Sequence, residues 1–154
     1  MVARELRVKG VIGNSIATEV QRPGWDEYFM LLAEQAAKRS TCSRLQVGAV
    51  VVQHFRVVGM GYNGAPQNIP HCEHYDDSPC TISVHAEVNA LLYARMEEGA
   101  WGGTTLYCTH MPCYECSKLI LNTQISTVYY GQEYGRNSGL DLLERGGVRV
   151  VRVP

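Results

Sequence analysis

Hydrophobic and polar positions change rhythm several times along the chain, and each change predicts an element. Residues 1–22 mix charged and β-branched side chains in no sustained period, so they are read as an N-terminal arm with no element assigned. From Trp25 an apolar stripe begins. Trp25, Tyr28, Phe29, Leu32 and Ala36 fall at helical spacings, which predicts a helix ending near Arg39 with those aromatics packed in the core. Val47–Val52 is a continuous β-branched run. After Gln53-His54-Phe55 a second run spans Arg56–Met60, so the pair predicts a hairpin. Gly59, Gly61, Asn63 and Gly64 read as breaks in regularity, being residues that tolerate positive φ. They open a polar loop from Ala65-Pro66 to Thr81, long enough to need a function or an ordering device of its own.

Downstream the pattern predicts a helix over His85–Glu97 that turns Val88, Leu91 and Leu92 towards the sheet and stops at Gly99. Thr104–Thr109 reads as a strand, Cys113–Asn122 as a helix, Thr127–Tyr130 as a strand and Leu140–Arg145 as a short helix. Gly146-Gly147 then turns into a last strand at Val148–Val153. Strands alternating with helices in this way predict an α/β fold. The expected architecture is a three-layer α/β/α sandwich with a central five-stranded mixed sheet, formed by residues 23–154 as a single domain.

Composition narrows the classes. The chain has 154 residues, 45% of them hydrophobic, which suits one globular domain with a substantial core. A formal net charge of -1 provides no broad basic surface, so the expected partner is a small molecule and not a nucleic-acid polymer. Neither an eighteen-residue apolar run nor a charged, apolar leader is read, so the expectation is a soluble cytoplasmic protein with no membrane partner. Six cysteines in that setting fit reduced thiols better than disulfides.

The chemistry concentrates in Ser83-Val84-His85-Ala86-Glu87-Val88-Asn89-Ala90 and Met111-Pro112-Cys113-Tyr114-Glu115-Cys116. Cys113 and Cys116 are three apart and share a helix face, so they can clamp one ion. His85 and Glu87 are two apart and would diverge within a regular helix, which places them at the very start of one. Pro112 marks the start of the second helix. Both N-termini then face the site and favour thiolate over thiol. His85, Cys113 and Cys116 are the three protein ligands of a catalytic zinc whose fourth position is left for water. Glu87 remains free to take and return a proton.

A second set of donors, Cys42, His71, Cys72, His74 and Cys80, lies in or beside the long loop. Four of them could close around a structural zinc and offset the entropy of ordering that loop. The preferred set is Cys42, Cys72, His74 and Cys80, with His71 as the substitute.

His-x-Glu followed by Pro-Cys-x-x-Cys is the signature of zinc-dependent base deaminases. With Trp25-Asp26-Glu27-Tyr28-Phe29-Met30, Arg39-Ser40, Val47-Gly48-Ala49, Gly61-Tyr62-Asn63-Gly64 and His71-Cys72, the chain from Trp25 to Val153 resembles the deoxycytidylate (dCMP) deaminases of the cytidine deaminase superfamily. That resemblance implies a cytidine deaminase-like fold and hydrolysis of dCMP to dUMP and ammonia, a step towards dTTP. Glu87 is implied as the proton shuttle, Asn63 as a contact to sugar and base edge, and Ala86 as a further substrate contact. Arg39, Ser40 and Tyr134 are candidates around the nucleotide, with Arg39 the first choice for the phosphate. It also implies a homo-oligomer, commonly a hexamer, activated by dCTP and inhibited by dTTP at a site using Gly61, Tyr62 and Gly64. The rival readings are a deaminase of another base or phosphorylation state, such as dCTP or a tRNA adenosine, and a zinc-stabilised nucleotide-binding module without turnover.

Overall fold

The computed structural model describes residues 8–12, 15–18, 21–74, 78, 80–95, 103–134 and 138–153. The first half runs through strands Val8–Ile12 (β1) and Ser15–Thr18 (β2), helix Trp25–Ala37 (α1), and strands Gly48–Gln53 (β3) and Arg56–Tyr62 (β4). The second half holds helix Ala86–Leu92 (α2), strand Thr104–His110 (β5), helix Tyr114–Leu121 (α3), strand Ile125–Gln132 (β6), helix Leu140–Arg145 (α4) and strand Arg149–Arg152 (β7). The sheet order is β4-β3-β5-β6-β7. β3 runs antiparallel to β4 and β5, while β5, β6 and β7 are mutually parallel. It is the expected five-stranded mixed sheet between helices.

All six residues of β3 are buried, because both faces of the strand are covered. Ala49, Val51, Leu106, Cys108 and Val128 pack with Ala86, Ala90, Ile120 and Leu143 of α2, α3 and α4. On the opposite face Val50, Val52 and Tyr107 pack with Phe29, Met30 and Ala33 of α1. The period-two alternation of each strand thus splits one sheet between two apolar clusters.

Several expectations are corrected. The segment assigned no element, residues 1–22, contains an antiparallel hairpin in which Val8 pairs with Thr18 and Ile12 with Ser15. The buried face of α1 is Phe29, Met30, Ala33, Ala36 and Ala37, one step round from the predicted stripe. Trp25 and Tyr28 stay 51% and 42% exposed, since the first turn overhangs the hairpin end and its rings pack on one another and on Phe55. Leu92 is exposed, whereas Ala86, Glu87 and Ala90 are the buried residues of α2. Pro112 precedes the helix it was expected to begin, and Cys113 is the N-cap. α2 ends at Leu92 with Tyr93 as its C-cap, well short of the predicted end at Glu97, which with the stop at Gly99 lies outside the described residues.

Gly59 and Gly61 do not break the chain; they sit within β4. Their role is steric. A Cβ on Gly59 would lie 2.5 Å from the Ala90 oxygen, and one on Gly61 2.3 Å from the Ala90 nitrogen, so bare backbone lets α2 rest directly on the strand. Alanines therefore face the strand where the backbones meet, Leu91 packs at the margin of the same cluster as expected, and Leu92 does not. This contact fixes the height of α2 above the sheet, and α2 carries half of the site.

Candidate active site

Two helix starts converge. His85 is the N-cap of α2 (φ -69, ψ 152) and Cys113 the N-cap of α3 (φ -74, ψ 170), each extended just before its helix begins. Glu87 and Cys116 follow in the respective first turns. His85 Nδ1 stands 3.4 Å from Cys113 Sγ and 3.3 Å from Cys116 Sγ. Bond lengths of 2.0–2.1 Å to nitrogen and 2.3 Å to sulfur at tetrahedral angles give an N···S edge of about 3.6 Å, so the trio fits zinc within a few tenths of an ångström. The three ligand atoms lie within 4.8 Å of one another, and among the described residues no carboxylate joins that group.

Glu87 is 4% exposed beneath the trio. Burial pushes its carboxyl up to about 7, against the opposing pull of its own backbone N–H and the charge of His85. Cys113 is held down to about 3, first by the hydrogen bond with the Cys116 thiol and then by His85; that same bond raises Cys116. The hydrogen bond with Cys113 raises His85. The donor set is therefore one readily formed thiolate, a second thiol beside it and an imidazole, which is chemistry suited to a borderline-soft divalent ion.

The trio and Glu87 border a cavity of about 680 Å³, of a size that takes a nucleotide. Of the residues expected around the nucleotide, Asn63, Ala86 and Tyr134 line it. Ser40 stands one bond behind, donating to Asn63 Oδ1 at 2.6 Å and to the Asn63 carbonyl at 2.8 Å. The Asn63 amide also accepts from Val47 N–H and donates to the Leu45 carbonyl, both at 2.8 Å, so it pins the 40–47 loop against the cavity. Arg39, expected at the phosphate, is exposed in the turn after α1 and is not among the lining residues. α1 ends at Ala37, too early to aim it inward.

Arg44 lines the cavity instead, a residue the sequence reading passed over. Its guanidinium carbon lies 5.7 Å from the centre of the Tyr134 ring, and its buried Nε has no hydrogen-bond partner among the described residues. A buried N–H left without an acceptor is costly, so a ligand oxygen there is favoured. His110 meets the other side of Tyr134 at 6.2 Å, and burial lowers its pKa. The available signal was position: Arg44 lies two residues after Cys42, and His110 directly precedes Met111-Pro112-Cys113.

A second donor group assembles on the cavity's flank. Ligand atoms of Cys42, Cys72, His74 and Cys80 all lie within 4.8 Å of one another, with Cys42 Sγ 3.5 Å from His74 Nε2. His71 is exposed and outside this group. Burial works against a thiolate at Cys80, yet the backbone N–H groups of Ile82 and Ser83, the latter 3.3 Å from Sγ, more than offset it and lower its pKa. Burial raises Cys72 to about 11. Four donors with no gap make a closed site, whereas the trio leaves a corner open.

The Gly61-Tyr62-Asn63-Gly64 segment connects to α2 and not to open solvent. Gly64 and Val84 exchange backbone hydrogen bonds of 3.1 and 2.9 Å immediately before His85, and Asn89 Nδ2 donates to the Tyr62 carbonyl at 2.8 Å.

Comparison with known proteins places the chain. The model of the cytidine and deoxycytidylate deaminase zinc-binding region matches residues 23–132. Deoxycytidylate deaminase of Mycobacterium phage D29 is 43% identical over 129 residues, covering 74% of this chain and 99% of the phage protein. ComE operon protein 2 of Bacillus subtilis (strain 168) is 37% identical over 139 residues, 87% of this chain and 74% of that protein. The crystal structure of dCMP deaminase from the cyanophage S-TIM5 in complex with dCMP and dUMP superposes with a TM-score of 0.76 at 37% identity, covering 87% of this chain and 100% of that one.

Proposed function

This chain belongs to the cytidine and deoxycytidylate deaminase zinc-binding family, and from that premise we propose that it hydrolyses dCMP to dUMP and ammonia, supplying dUMP for dTTP synthesis. The observation that carries this reading is a buried carboxyl, Glu87, held beside an open three-ligand cluster at the floor of a nucleotide-sized cavity. The phage proteins of similar sequence and structure support dCMP over other cytosine nucleotides. A non-catalytic binding module has no use for a carboxyl buried at such cost beside the ligands.

His85, Cys113 and Cys116 would hold the zinc, which when bound supplies Lewis acidity that brings the pKa of water near neutrality. Glu87 takes a proton from the attacking water and delivers it to N3 of the pyrimidine as C4 becomes tetrahedral. It then takes the proton of the new C4 hydroxyl and passes it to the amino group as the C4–N bond breaks and the C4 carbonyl forms, so one carboxyl serves as base and acid in turn. The Ala86 backbone N–H, in the first turn of α2 where helix N–H groups lack an intrahelical acceptor, would donate to the base, and Asn63, which lines the cavity, would contact the sugar. Arg44, with Tyr134 and His110 around it, receives the 5′-phosphate.

Three finer points belong to the same reading. Cys42, Cys72, His74 and Cys80 hold a second, structural zinc, supported by their closed tetrad. dCTP activates and dTTP inhibits through the Tyr62–Gly64 segment, supported by its direct bonds to Val84 and Asn89 at either end of the His85–Glu87 turn. The protein works as a homo-oligomer, on the family pattern a hexamer, in the reducing cytoplasm. The exposed Leu92, Tyr93, Tyr114 and Leu119 on the helical side, and six free cysteines, support this. Among the described residues no helix is long and apolar enough to cross a membrane.

A substrate panel on the zinc-loaded protein tests the assignment. dCMP is expected to release ammonia with the highest kcat/KM among dCMP, CMP, deoxycytidine and dCTP. Preference for dCTP or deoxycytidine would overturn it.

A further inference from the structure

On the face of the sheet opposite the catalytic cavity, a second concavity of about 280 Å³ opens between the start of α1 and the β3–β4 hairpin. Phe29, Phe55, Tyr107 and Tyr129 form its aromatic walls, and Asp26 is the one acidic residue among those lining it. No lysine or arginine lines it, and among the described residues Asp26 forms no ion pair. The Asp26 carboxylate accepts a hydrogen bond from Tyr107 Oη at 2.6 Å and interacts with the Tyr129 hydroxyl as well, which orients it and leaves part of its acceptor capacity for a ligand. Tyr129 stacks on Tyr107 at 4.9 Å with planes 9° apart, so the two rings line the concavity as one stacked pair.

The hairpin is built at a conformational cost. Gln53 pairs with Arg56, so His54 and Phe55 are the two turn residues, and both have positive φ, 49° and 60°. Such turns favour Asn-Gly, yet here two bulky residues occupy them. The outcome is that Phe55, 62% exposed, is held against Trp25 at 5.0 Å and lines the same concavity as Asp26. A large apolar ring kept in a strained, exposed position points to a binding role.

We infer that this concavity is a binding site for a guanidinium group, taken among Phe55 and the stacked tyrosine pair and paired with Asp26. A carboxylate below aromatic faces selects a cation, and a planar one both stacks and forms paired hydrogen bonds. The volume suits one side-chain-sized group and not a second nucleotide. A free guanidino amine and an arginine side chain of a protein share this chemistry.

Isothermal titration calorimetry on the zinc-loaded full chain, with agmatine, N-acetyl-arginine amide and the neutral N-acetyl-citrulline amide, tests the inference. Both guanidinium probes are expected to bind at least about tenfold more tightly than citrulline. Tighter binding of agmatine identifies a free amine as the source, and tighter binding of the blocked arginine identifies a protein side chain. Asp26→Asn and Phe55→Gly should each weaken binding by about tenfold or more. Phe55→Gly fits the positive φ, so its melting temperature should not fall, which separates lost binding from lost folding. Equal affinity for citrulline, or binding unchanged in a folded Phe55→Gly protein, overturns the assignment.

Discussion

Replacing Gly61 by alanine should disable the enzyme although Gly61 itself does not line the cavity. The new methyl would lie 2.3 Å from the Ala90 nitrogen and 2.6 Å from the Ala86 oxygen, both backbone atoms of α2. Ordinary contact is about 3.5 Å, so the helix must retreat by about 1 Å, since no rotamer change can relieve a clash with backbone. Overpacking of this kind costs about 1–3 kcal/mol. The Ala86 oxygen belongs to the turn that carries Glu87, and a catalytic group misplaced by about 1 Å loses about a hundredfold in rate. Urea denaturation and dCMP turnover at saturating zinc measure both effects. Gly61→Ala should show a lower midpoint and a kcat down by about a hundredfold. Gly24→Ala, where an added Cβ meets nothing within 4 Å, should show neither. Wild-type stability and turnover in Gly61→Ala, with only the response to dCTP or dTTP altered, would refute the steric account and return Gly61 to an effector site.

The remaining predictions concern charge and metal. Arg44→Ala should raise KM for dCMP by about ten- to a hundredfold while leaving deoxycytidine nearly unaffected, and Arg39→Ala should change neither; steady-state kinetics on both substrates decides this. In the metal-free protein the raised Glu87 pKa means the folded state holds its proton longer than the unfolded one. Its contribution is therefore fully present below pH 4.5 and lost as pH rises through about 7. The stability difference between wild type and Glu87→Gln should shift by about 3 kcal/mol across that window, and a pH-independent difference would contradict it. Elemental analysis should give two zinc ions per wild-type chain and one in Cys72→Ser, whose 65–81 loop should also be cut faster by protease. A single zinc in the wild type would remove the second site.

The parts of this molecule legible in its sequence are those fixed by local spacing. The Cys-x-x-Cys clamp, the His-x-Glu turn and the β-branched run of β3 each follow from residues a few positions apart. What escaped depends on contacts between distant segments. Gly59 and Gly61 look like turn formers until α2 is seen lying on them. The stripe of α1 is off by one step because Trp25 and Tyr28 pack over the hairpin end and not into the core. Arg44 and Arg39 are equally charged in sequence, and only the Asn63 bonds that pin the 40–47 loop bring Arg44 to the cavity.

The most direct test of the account compares zinc-loaded wild type with Glu87→Gln, measuring dCMP affinity and ammonia release in each. The account predicts comparable dCMP binding and ammonia release lower by at least about a thousandfold in the variant. Turnover within a few-fold of wild type would contradict it, because the proton would then be travelling by another group.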